Sequence, residues 1–436
     1  MAALLLSALP SNVLADGPKR AVPSYDGRPP KTTTVGDVAL WVPRILLSPL
    51  YLTSEYLVRR PLGAVIAAAE RARVPSVLYD FFTFGPDHKA GVAPIAFVDF
   101  GFNPDVGVYA FWDDAFFDGN DLSLHAAAWS SHWLAGSLTE RIRFRRDELL
   151  TFKVQASRRP DLTFYGLGPN TLERNISRYG RDLIDGRAMA DLSLWGSNRL
   201  LAGMGIRSEE LYHGHYGSDP SVEQSAAARV FVLPDGFGHG YTAEYNRLRL
   251  TLDSRPRDQS PGSGIRLELE GEQGSDVSSS PASGWLRYAA SLGGFYDLNE
   301  RGRVISLVIA ALFADPLGSE PIPFTELVSL GGDAPLRGFY PGRLTDRSAA
   351  VAGLRYRWPI GPWLDGAIRA EVGNVFGVHL AQLSPGLMRF SGSIGLGTVG
   401  STDESIEALV GFGTETFDHG AQIDSIRVVL GTNRGF

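Results

Sequence analysis

The stretch 329–376, SLGGDAPLRGFYPGRLTDRSAAVAGLRYRWPIGPWLDGAIRAEVGNVF, decides how this chain is read. It opens on a glycine-rich turn carrying Leu336, Arg337, Gly338 and Phe339, and two segments of alternating polarity follow. In the first, Ala350, Ala352, Leu354, Tyr356 and Trp358 share one face and Arg355 and Arg357 the other. In the second, Leu364, Ile368, Ala370 and Val372 oppose Asp365, Arg369 and Glu371. A period of two marks a strand with one apolar and one polar face. In a membrane barrel the apolar face meets lipid and the polar face lines the lumen. Glu371 is then expected to point inward, where a folded-in loop carrying Arg337 would pair with it. Removing one partner of such a buried pair strands the other charge, which is costly.

The same residues resemble the carboxy-terminal part of the BamA/TamA-type barrels, the bacterial surface antigen superfamily. That resemblance implies a loop whose Arg-Gly-Phe folds back inside the barrel and meets an acidic residue of a later strand. Leu336-Arg337-Gly338-Phe339 matches the loop, and the strand 370–376, with Glu371 and Gly373, matches its partner, with Glu in place of the usual Asp. A second similar segment is Phe164-Tyr165-Gly166-Leu167-Gly168.

Composition agrees with a barrel. Of 436 residues, 50 are Gly, 11% are aromatic and 20% are charged. The longest clean apolar run, 304–314, is close to the ~9–11 residues of a tilted membrane strand and well short of the ~20 that a membrane helix needs. With no cysteine, disulfides, zinc–thiolate sites and thiol catalysis are excluded. A net charge of −7 without a basic stripe argues against nucleic acid as a partner.

Sixteen alternating segments are expected to be strands: 92–101, 105–112, 121–130, 133–144, 148–158, 181–195, 198–211, 241–254, 263–273, 283–298 and 302–315 before the Arg337 loop, and 348–358, 364–374, 387–398, 405–414 and 423–431 after it. Single-chain bacterial barrels use even strand numbers. The connections 212–240 and 272–282 read as outside loops, and 299–301 and 359–363 as short periplasmic turns. The expected fold is all-β, a transmembrane antiparallel barrel of about sixteen strands over 91–436.

Ahead of it, residues 1–15 read as a secretory signal, 16–30 as a Pro-rich tether, and 31–90 as a helical periplasmic segment with helices at 35–47, 49–60 and 61–73. This leaves no room for a ladder of the family's periplasmic POTRA modules, so the resemblance is to a barrel-only member. The terminal Phe436 resembles the sorting signal of outer-membrane barrels.

Two patterns are read as decoys. The glycines of 395–400 fit dinucleotide-binding spacing but no helix follows to hold a pyrophosphate, and His213 and His215 lack an acidic partner for a metal. No catalytic constellation, metal site or cofactor is expected. The resemblance implies insertion or translocation of macromolecules at the bacterial outer membrane, with outer-membrane lipid, the barrel assembly machinery and a protein or lipid cargo as partners. A passive diffusion channel and a structural or adhesive surface protein are the alternatives.

Overall fold

In the computed structural model the described residues are 77, 80–85, 87–145, 147–256, 262–280, 282–298, 302–360, 364–398 and 404–434. The signal, the tether, most of the helical segment and Phe436 lie outside them. Sixteen long strands run in sequence order: β1 (Ala90–Asp99), β2 (Asp105–Trp112), β3 (Asn120–Ser130), β4 (Trp133–Arg145), β5 (Glu148–Phe164), β6 (Ser177–Ser193), β7 (Arg199–His213), β8 (Tyr241–Asp253), β9 (Gly264–Asp276), β10 (Gly284–Asp297), β11 (Val304–Pro316), β12 (Ser348–Pro359), β13 (Leu364–Phe376), β14 (Arg389–Thr398), β15 (Glu404–Thr416) and β16 (Ile423–Arg434). Each is antiparallel to the next, and β16 pairs with β1 to close the barrel.

The expected strands are all present, with two differences. β5 and β6 run further than their alternation indicates, because a register shift between Arg159 and Leu162 lets Leu162–Phe164 pair with Ser177–Tyr179. A shift of this kind breaks the period while the ladder continues. In the region expected to be helical, residues 80–82 are helical but Thr83–Phe84 form a short strand on Ala90–Gly91. An aromatic and a β-branched residue before the Gly85 turn favour that extended pairing.

Alternation sorts the side chains. Leu138, Val154, Ile184, Met204, Leu248, Leu269, Leu292, Leu307, Leu354 and Val410 are exposed on the outer face and make an apolar belt. The inner face is polar, and its packed core comes from the long connection 317–347 between β11 and β12. There Val328–Leu330 pair with Leu344–Asp346 as a small hairpin inside the barrel. Leu330, Leu336, Phe339 and Leu344 are fully buried against Trp285, Ala349, Val351 and Val375 of the wall. The connection 214–240 carries a short helix, α1 (Val222–Ala227), closed by a capping box at Ser221. It covers the same rim, packing Phe237 and Val222 around Phe324 of the lumen connection.

Candidate functional site

The site is built from the tip of the lumen hairpin, 331–343, and the inner faces it rests on. Leu336 has φ of +66°, a conformation L side chains avoid, and its fully buried side chain holds it there. That turn presents Arg337 and Gly338 to the wall. A Cβ on Gly338 would run into the carbonyl oxygen of Phe412, so only glycine lets the backbone lie this close. The Gly338 N–H donates to Ser391 Oγ at 2.9 Å, and Ser425 Oγ donates to the Gly338 carbonyl at 3.2 Å. Phe339 then lies over Gly413.

The expected ion pair between Arg337 and Glu371 is not the arrangement found. The Arg337 guanidinium donates to Glu407 of β15, at 2.5 Å to Oε1 and 2.8 Å to Oε2, and to Asp333 at 3.0 Å. Glu371 instead accepts the Arg337 backbone N–H at 3.1 Å. Turning the backbone toward β13 sends the long side chain past it toward β15, where a second inward carboxylate waits. Gly373, expected beside Glu371, packs on Val351 and the Ala350 carbonyl of β12.

Arg343 is the second anchor, with no exposed surface. It donates to Thr171 Oγ1 at 2.8 Å, Glu173 at 2.8 Å and Asp424 of β16 at 3.0 Å, and its guanidinium sits 4.9 Å from the Tyr165 ring centroid. The second family-like segment, 164–168, thus meets the first. Burial pushes the Glu173 carboxyl up, against the pull of Arg343. At the base of the hairpin Glu326 is fully buried, 2.5 Å from Arg207, 2.7 Å from Arg287 and 2.7 Å from the Tyr241 hydroxyl. Burial alone would raise its carboxyl, yet the two guanidiniums hold it below the usual carboxylate range.

The seam adjoins the tip. β16 and β1 share three register pairs, Val429 with Asp99, Leu430 with Val98 and Gly431 with Phe97. Eight join β1 to β2 and eleven join β15 to β16, so the closing ladder is the short one. Pairing ends at Gly431, whose φ is +148° and whose Cβ would strike the Ala96 carbonyl. Across this seam Arg427 donates to Asp99 at 2.8 Å, both side chains being buried. The same guanidinium donates to the carbonyl of Gly332 at 2.6 Å and that of Arg337 at 3.4 Å. One arginine therefore holds the last strand, the first strand and the loop tip together.

Residues 137–397 match the Omp85 superfamily domain, well over half of the chain. The chain belongs to the Omp85 superfamily. Among solved structures, BamA from Haemophilus ducreyi lacking POTRA domains 1–3 is similar at 14% identity and a TM-score of 0.52, covering 79% of this chain and 70% of that one. CdiB from Acinetobacter baumannii, at 12% identity and a TM-score of 0.48, covers 79% of this chain and 60% of its own, so the chain spans less than two thirds of that protein. No curated protein matches the sequence. The Omp85 barrel lies in the bacterial outer membrane and belongs to a family with transport and biogenesis roles.

Sequence reasoning missed Asp99, Arg427, Glu407 and Arg343. Three of them carry a readable signal. Arg427, Glu407 and Asp99 all have the inward parity of their strands. Arg343 lies in a connection, where alternation has nothing to say.

Proposed function

We propose that this Omp85 barrel inserts or translocates macromolecules, protein or lipid, at the outer membrane by opening the β1–β16 seam toward lipid. The observation that carries the reading is the three-pair seam closed by Arg427 and Asp99, with the loop tip seated on the same arginine. A strand edge with few ladder bonds is the least costly place to part a barrel wall and the natural template for an incoming strand. A passive diffusion channel fits less well, because the hairpin 328–346 fills much of the lumen with a packed apolar core. Leu336 to Phe339 serve as the seat of the loop, Glu371 and Gly373 as the strand that receives it, and Phe436 as the sorting signal.

The test uses Val98→Cys with Leu430→Cys, register partners across the seam. The chain has no cysteine of its own, so the two thiols are the only ones to cross-link. Cells carrying the linked barrel should show the same change in outer-membrane protein and lipid composition as cells lacking it, and reductant should reverse the change. If the linked barrel supports a normal membrane while deletion does not, function does not pass through the seam.

A further inference from the structure

One row of the inner wall crosses four strands and carries hydrogen-bond donors without an acceptor to receive them. Ser306 of β11 stands opposite Arg355 of β12, Arg355 opposite Arg369 of β13, and Arg369 opposite Ser393 of β14. Like charges directly opposite on one face of a sheet destabilise it. Elsewhere in the lumen facing cations have acids beside them: Arg159 stands opposite Arg181, yet Arg159 lies 3.3 Å from Asp161 and Arg181 lies 3.6 Å from Glu209. On β8 and β9, Arg247 stands opposite Glu272 and Arg249 opposite Glu270, and both are paired.

No compensation of that kind reaches the row. Among the described residues neither the Arg355 nor the Arg369 guanidinium has an ion pair or hydrogen bond, the Arg355 Nε is buried without a partner, and so is the Ser393 hydroxyl. The acids nearby are engaged elsewhere. Asp365 lies 3.6 Å from Arg357, Glu407 and Asp333 hold the Arg337 guanidinium, and Glu371 accepts the Arg337 N–H.

We propose that Arg355, Arg369 and Ser393 form an anion site in the barrel lumen that binds a phosphate group. Two guanidiniums present planar donor forks matched to an oxyanion, and a buried hydroxyl completes the set. A dianion or diester there would neutralise the facing charges and accept from the orphaned donors. The inference needs only the closed barrel and is independent of whether the seam opens. A phospholipid headgroup and free inorganic phosphate present the same chemistry, and the experiment separates them.

The full chain, purified in non-ionic detergent, is titrated with inorganic phosphate against chloride at matched ionic strength, which holds screening constant. Unfolding is followed by heat-modifiable migration. In parallel the detergent-solubilised barrel is titrated with a short-chain phosphatidylglycerol against a short-chain diacylglycerol, which has no phosphate. Saturable stabilisation by phosphate assigns the free anion, and a response to phosphatidylglycerol alone assigns the headgroup; either supports the site. Arg369→Gln and Arg355→Gln should each move the midpoint of that response by about tenfold or more, the value of one charged hydrogen bond. Each should also raise stability in the anion-free state. Arg369→Lys, which keeps charge but loses the fork, should fall between. Should the Gln variants fail to fold, Ser393→Ala supplies the same comparison with a smaller shift. A wild-type barrel indifferent to both probes, or variants that respond as the wild type does, would overturn the proposal.

Discussion

The wall made by β7–β10 and the wall made by β14–β16 line one lumen and fill it in opposite ways. The first carries long charged side chains in complementary rows, Arg247 and Arg249 against Glu270 and Glu272, while its Arg207 and Arg287 grip Glu326 of the lumen connection. The second has only small side chains along the middle of its inner face, Ser391, Ser393, Gly411, Gly413 and Ser425, between Glu407 and Arg427. The laddered wall fixes itself through its own pairs. The second wall is completed only when the loop tip lies on it and supplies Arg337, Gly338 and Phe339. The difference places rigidity on one side and a removable support on the other, beside the seam.

The largest effect is expected where the laddered wall grips the base of the hairpin. Glu326→Ala leaves Arg207 and Arg287 facing each other in a dry setting, and loss of one partner from such a network costs ~3–5 kcal/mol. Denaturant unfolding in detergent should register it. Because the folded-state value of Glu326 lies below its unfolded one, its contribution is complete above the ordinary carboxylate range and fades as pH falls through the depressed value. Acid titration should therefore loosen the hairpin in the wild type, and Glu326→Gln should flatten that part of the profile.

The seam comes next. Arg427→Ala strands Asp99, so a loss of similar size, ~3–5 kcal/mol, is expected. It should appear as proteolysis of the loop tip, because the same guanidinium holds the Gly332 and Arg337 carbonyls. Asp99→Ala with Arg427→Ala should cost less than the sum of the singles. Strict additivity would mean the pair does not bridge the two strands.

Smaller effects separate the two carboxylates near Arg337. Arg337→Ala and Glu407→Ala should each cost about 1.5–3 kcal/mol, the range for a charged hydrogen bond, and should couple in a double-mutant cycle. Glu371→Gln should cost under about 1 kcal/mol, since the amide oxygen still accepts the Arg337 N–H. A large loss at Glu371→Gln, uncoupled from Glu407, would restore the direct pair read from the sequence.

How far the sequence reached follows from what alternation can and cannot encode. Parity sets which face each residue takes, so the sixteen strands, the inward Glu371 and the lipid-facing Leu354 were legible from residue order alone. Parity gives direction and not partner. Glu371 and Glu407 both point inward, and only the seating of the tip, fixed by Gly338 against Phe412, sends Arg337 to the second. The bulge near Arg159 broke the period and hid the ends of β5 and β6. The seam latch joins residues 99 and 427, too far apart along the chain for any local pattern to pair them.

The central claim is that the loop tip, resting on the wall of β14–β16, holds the seam shut through Arg427. Hydrogen exchange on β1 and β16 in the wild type and in Gly338→Val tests it most directly, because a side chain at 338 cannot fit beneath Phe412 and must lift the tip. The account predicts faster exchange at residues 97–99 and 428–431, with β7–β10 unchanged. Equal exchange at the seam in the two proteins, with the tip demonstrably displaced, would contradict it.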